Sequence, residues 1–159
     1  MKIYIRNAVF ILAFASSSIS ASQALGVMRE PQAPLIVHSE AHPNNVHVPS
    51  ATHHFKLQVA GYNISKLLID LPKGISVTGG IEITSQSGQK VDYTVSLNNR
   101  RVTVAFAQPV SPGTTLSISL KGVRTSDYLG RTWLYPVSGR LNDIQVDIPL
   151  GIARIQTYK

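Results

Sequence analysis

All five histidines of the chain fall between positions 38 and 54: His38, His42, His47, His53 and His54. Neutral imidazole is the commonest protein ligand for zinc and copper, so several on one segment could close around an ion. Met28 would add a soft ligand for Cu(I). The spacing is irregular, however, and Pro43 argues against a helix that presents His38 and His42 together. His53 and His54 would point to opposite faces if they start a strand. A polar segment that happens to be rich in histidine accounts for the same residues. A copper or zinc site on these five histidines is therefore the alternative reading, and the main one has no cofactor.

A second constellation lies further along. Arg124, Tyr128, Arg131 and Trp133 combine cationic and aromatic side chains within ten positions, with Tyr135 beyond them. Rings and guanidinium groups together can stack on sugars or grip a protein. On one strand, Trp133 and Tyr135 share a face. The competing reading makes that face part of the core.

Catalytic patterns are sparse. Ser87-Gly88-Gln89-Lys90 fits the S-x-x-K spacing of serine acyl-enzymes, but that chemistry needs a helix and these residues read as a turn. No G-x-S-x-G elbow, phosphate-cradling glycine loop, dinucleotide fingerprint or H-E-x-x-H helix occurs. Asp70, Glu82, Asp92, Asp127, Asp143 and Asp147 are scattered, and Asp143 and Asp147 lack the order of a calcium loop. No cysteine is present, which removes disulfides, thiolate ligands and a cysteine nucleophile. The reading is non-enzymatic.

The elements that must hold these residues alternate with period two. Phe55, Leu57 and Val59 mark a first strand, and Leu67, Ile69 and Leu71 a second that stops at Pro72-Lys73-Gly74. Ile75, Val77, Ile81 and Ile83 suggest a third, bent at Gly79-Gly80. A hairpin follows from Val91 to Ala107, with Tyr93, Val95 and Leu97 facing the core on one arm. Val102, Val104 and Phe106 do so on the other, and Asn98-Asn99 lies at the tip. Leu116, Ile118 and Leu120 alternate next; Thr132 to Val137 forms another strand. The last runs from Leu150 to Tyr158, apolar on both parities as if covered on both faces. No helical period with caps follows the amino-terminal segment. Short strands with regular turns predict an all-β, immunoglobulin-like antiparallel β-sandwich over residues 52–159.

Two segments precede it. Lys2 and Arg6, the apolar run Ala8 to Ala15 and the small residues to Ala24 have the layout of a secretory signal peptide over 1–24. The apolar run is too short to span a bilayer, and no later one is longer, so the mature chain is expected to have no transmembrane segment. Residues 25–51 carry four prolines and read as an extended, flexible arm in which Leu35-Ile36-Val37 could dock as a short strand. The formal charge of +7 includes Lys2 and Arg6, and the remaining cations are dispersed without a nucleic-acid motif. An exported, modestly basic chain fits an envelope partner, an anionic polysaccharide or a protein, and not nucleic acid. Periplasm, cell envelope and medium are the expected locations.

Gln108-Pro109-Val110-Ser111-Pro112-Gly113-Thr114-Thr115 leads into a strand ending in Lys121-Gly122-Val123-Arg124. Tyr128-Leu129-Gly130, Arg131-Thr132-Trp133-Leu134-Tyr135, Ile148-Pro149-Leu150-Gly151 and Ile155-Gln156-Thr157-Tyr158 follow. Together they resemble a family of exported cyanobacterial proteins known as domain of unknown function 2808. The resemblance spans roughly Thr52 to Tyr158 and is strongest from Pro109 to Trp133. Thr125-Ser126-Asp127 stands where the family pattern has an Asn-Pro-like pair and a double glycine. It implies an exported β-rich domain and carries over no catalytic residue. The function expected is that of a non-catalytic binding or structural module of the cell envelope.

Overall fold

The computed structural model describes residues 33–88, 90–126, 130–142, 144 and 146–159. The expected signal peptide, Met28 and Tyr128 lie outside the described residues. The described residues form strands and no helix: β1 (Leu35–His42), β2 (Ala51–Gln58), β3 (Ile64–Asp70), β4 (Ile75–Val77), β5 (Ile81–Ser85), β6 (Tyr93–Asn98), β7 (Arg101–Val110), β8 (Thr115–Thr125), β9 (Thr132–Leu141) and β10 (Asp147–Gln156). One sheet runs β1-β2-β8-β4, with β5 also on β8; the other runs β10-β9-β3-β7-β6. Every pairing is antiparallel, and the two sheets face each other as an immunoglobulin-like β-sandwich.

Alternation selects the core. Phe55 and Leu57 on β2, Leu67 and Ile69 on β3, Val102 and Val104 on β7, and Leu116, Ile118 and Leu120 on β8 are all fully buried. Each such side chain contributes about 1.5–3 kcal/mol on leaving water, and a one-residue slip would turn the whole set outward. That energetic penalty fixes the register.

Four expectations change. The bent third strand is two strands, β4 and β5, both paired to β8. At the break, Gly79 N–H donates to Lys121 O at 2.9 Å, and a Cβ on Gly122 would lie 2.5 Å from Gly79 N. Gly122 also has φ of 65°, so the two backbones can touch only because neither residue has a side chain. Next, Val95 and Leu97 keep the inward parity of Tyr93 but are exposed, because β6 is an outermost strand with one neighbour. β10 is likewise an edge strand: Ala153 and Ile155 are buried while Ile152 faces solvent, so only one face is covered.

The fourth correction concerns the arm. Leu35–His42 is strand β1, paired with β2 along its whole length, and not a free extension. Ile36 and Ala41 pack against the core. The connecting loop is also tied down: Asn45 bridges Tyr158 in parallel, and Val46 N–H donates to Tyr158 O at 2.9 Å. Backbone pairing explains why composition misled here, since an edge strand tolerates polar side chains and flanking prolines.

Candidate functional site

The β1–β2 loop, the start of β2, the end of β8 and the carboxy-terminal tail meet at one end of the sandwich. They enclose a cavity of about 450 Å³ lined by His47, Val48, His53, Val123, Arg124 and Thr157, among others. The loop is held over it by Tyr158 N–H donating to Asn44 O at 2.7 Å, and by His47 N–H on Asn45 Oδ1 at 2.8 Å.

His53 stands where β2 begins, on the inward parity shared with Phe55 and Leu57, and is buried. Its Nδ1 lies 2.6 Å from the Tyr135 hydroxyl on β9 of the opposite sheet, with the rings edge to face. Burial lowers the His53 pKa from 6.5 to about 4, so the ring is neutral at pH 7. Burial equally raises the phenol of Tyr135, which stays protonated. The pair is a hydrogen bond across the core between two uncharged groups.

Thr157 borders this cavity and joins it to a neighbouring hollow of about 320 Å³ lined by Gly130, Arg131, Thr132 and Lys159, among others. Its hydroxyl accepts from Trp133 Nε1 at 3.0 Å and donates to Arg131 O at 3.3 Å. Arg131 lies over the Trp133 ring, 5.0 Å from its centroid. Arg124 and Arg131 are both exposed at this end. The larger depression elsewhere, about 640 Å³ around the β6–β7 turn, is an open hollow. Its carboxylate is already engaged: Arg101 holds Asp70 through two hydrogen bonds of 2.6 and 3.0 Å. The end cavity is the better candidate, because it sets the buried His53 beside a wall of Val46, Val48, Pro49 and Val123.

The family described as "Protein of unknown function (DUF2808)" matches residues 27–155. The chain belongs to this family. The DUF2808 match begins well before the Thr52 expected from sequence, in keeping with β1 being part of the sheet. Among solved structures, the DUF2808 chain is similar to a non-cellulosomal cohesin from the hyperthermophilic archaeon Archaeoglobus fulgidus. That likeness has 13% identity and a TM-score of 0.50, covering 80% of this chain and 92% of that one. It is also similar to the N-terminal domain of the Streptococcus gordonii adhesin Sgo0707, at 11% identity and a TM-score of 0.54. There the coverage is 81% of this chain and 33% of that one. At such identities the likeness is one of fold. No curated protein matches the chain.

The remaining candidates of the DUF2808 chain divide. Arg124 and Arg131 come to the same end of the molecule, but Trp133 does not present its ring to a partner. It is 2% exposed, because its inward parity on β9 places it in the core with Tyr135. The five histidines do not form one group. His53 faces inward, while His54 faces outward and bonds Ser119 Oγ at 3.0 Å and Ser117 Oγ at 3.4 Å. His38 pairs with Glu40 at 3.2 Å, its ring centroid 6.3 Å from that of His54. His42 ends β1, and His47 lies in the loop. Among the described residues, no three His, Asp or Glu side chains converge to hold a metal ion. Ser87 sits in a turn whose Gly88 has φ of 74°, and its hydroxyl meets Ser85 Oγ at 2.8 Å. The helical spacing of a serine–lysine site is absent there. Sequence reasoning missed Tyr135 as the partner of His53 and Thr157 as the link between the hollows. Neither pairing has a local signal, since 82 positions separate His53 from Tyr135.

Proposed function

We propose that this protein is an exported, non-catalytic binding module of the cell envelope, engaging an acidic partner through the end that bears Arg124 and Arg131. The observation that carries this reading is the end cavity itself. It pairs an apolar wall with the exposed Arg124, Arg131 lies at the adjoining hollow, and the described lining of the cavity includes no carboxylate. A binding surface of that make-up favours anions. The signal-peptide layout of residues 1–24 supports export. The two structural neighbours are by name a cohesin and an adhesin domain, which agrees with a binding use of this fold.

The test is fractionation of cells making the full-length protein, followed by sedimentation of the purified protein with isolated envelopes. The expected result is recovery outside the cytoplasm and retention on envelopes that falls as salt rises. Arg124→Ala with Arg131→Ala should cut retention several-fold. Cytoplasmic recovery, or retention indifferent to both arginines, would end this reading.

A further inference from the structure

His53 is 1% exposed and lines the end cavity. One ring nitrogen, Nδ1, is taken by Tyr135, and the ring has no other hydrogen bond among the described residues. No enclosed side-chain nitrogen or oxygen of the described residues lacks a partner. Nε2 has no partner among the described residues, and the cavity that His53 lines is the space from which a ligand could supply one. The direction of the Tyr135 bond then decides what Nε2 is. A phenol has one proton to donate, and Tyr135 is fully buried with no acceptor but Nδ1 among the described residues. If Nδ1 carried the proton, the phenolic hydrogen would be buried without a partner, an arrangement folded proteins avoid. Tyr135 donates, Nδ1 accepts, and the single imidazole proton sits on Nε2. Such a nitrogen cannot ligate a metal without first losing that proton. It can donate to an anion.

Arg124 supplies the charge. It borders the same cavity near the end of β8, on the outward parity next to buried Val123, and so stands at the cavity's solvent side. Val46, Val48, Pro49 and Ala51 make the wall apolar. We propose that the cavity binds a small monocarboxylate, whose carboxylate accepts from His53 Nε2–H and pairs with Arg124 while its compact apolar body packs on Val48, Pro49 and Val123. One formal positive charge and one neutral donor match a single negative charge. A phosphate dianion would bring a second charge into a partly apolar site without a second cation to meet it. The volume of about 450 Å³ lies within the range of small-ligand pockets, roughly 300–1,000 Å³.

The inference rests on reading the molecule as a binding module and names what its end cavity takes. It is tested by titrating the purified full-length protein with benzoate, followed by calorimetry and by the nitrogen resonances of the His53 ring. Benzamide, inorganic phosphate and Zn²⁺ serve as comparisons. The expected result is saturable one-to-one benzoate binding that shifts the Nε2 resonance. Benzamide, phosphate and the Arg124→Gln protein should each bind about tenfold more weakly or worse, the scale of one lost charge-assisted hydrogen bond. Arg124 is exposed, so this substitution leaves the core intact. Absence of saturable benzoate binding, binding undiminished by Arg124→Gln, or a Zn²⁺ response at Nε2 stronger than that to benzoate would each overturn the proposal. If benzoate fails while envelope retention still depends on the two arginines, only the ligand is wrong. If benzoate binds and retention fails, only the envelope role is.

Discussion

Burial lowers the His53 pKa from 6.5 to about 4, which couples a single side chain to the stability of the whole sandwich. The fold favours the neutral ring, so the unfolded chain binds a proton more readily between those values. Stability is then complete above about pH 6.5 and lost as pH falls toward 4, by about 3 kcal/mol for this group alone. His54 shifts in the same direction, chiefly through burial, with Glu40 opposing. Asp147 acts the same way by a different route: the hydrogen bond from Arg140 holds its carboxyl below the ordinary value, a contribution lost on acidification. Urea unfolding at pH 7.5, 6 and 4.5 should show a midpoint that drops steeply with acid. The double variant His53→Leu with Tyr135→Phe, which removes donor and acceptor together, should flatten most of that dependence. A slope unchanged in the double variant would mean that His53 is not the group responsible. The residue types capable of this behaviour were visible in the chain. Their pairing was not, because period-two alternation says that His53 and Tyr135 both point inward and nothing about which ring meets which.

The strands divide by how much of their environment is local. β2, β3, β7 and β8 were legible from alternation, since each is interior to a sheet with one face on the core, and the pattern selects most of their buried residues, though not Leu68, which is buried on the opposite parity of β3. β6 and β10 were misjudged in burial and not in position, because edge status is a property of the sheet and leaves little trace in the strand. The β6–β7 turn shows the limit more finely. The asparagine pair signalled a hairpin, but the tip is Asn99-Arg100, with φ of 46° and 67°. Both central residues are left-handed, as a type I′ turn requires, and arginine has a Cβ that disfavours this region. Arg100→Gly should relieve that conformation and raise stability by about 0.5–1 kcal/mol, a gain of several degrees in thermal midpoint. Its carbonyl, which accepts from Leu71 N–H at 2.8 Å, is a backbone group and survives the substitution. A fall in midpoint would show that the Arg100 side chain contributes more than its conformation costs.

For the whole molecule, the amino-terminal part of the described chain closes the structure. β1 covers the edge of β2, Ile36 packs toward Gly151 on β10, and the loop after it carries Val46 into a buried position against Tyr158. A chain beginning at Thr52 would lose that ladder, the burial of Ile36, Ala41 and Val46, and one wall of the end cavity. It should unfold with about 3–5 kcal/mol less stability, judged by the apolar surface exposed, and should associate through the bared edge of β2. Urea titration and light scattering of the shortened and full-length proteins check this; equal midpoints would mean that β1 is dispensable. By itself the sequence determined the class of fold, the inward residues of the interior strands and the absence of cysteine chemistry. These follow from composition and from a two-residue period that any strand imposes on its own side chains. Only the tertiary structure decided that Leu35–His42 is a full strand of the sheet, that Trp133 is core, that the histidines are dispersed, and that His53, Arg124 and Thr157 share a cavity. Those facts depend on contacts between segments far apart in the chain, which are set by which sheet edges meet.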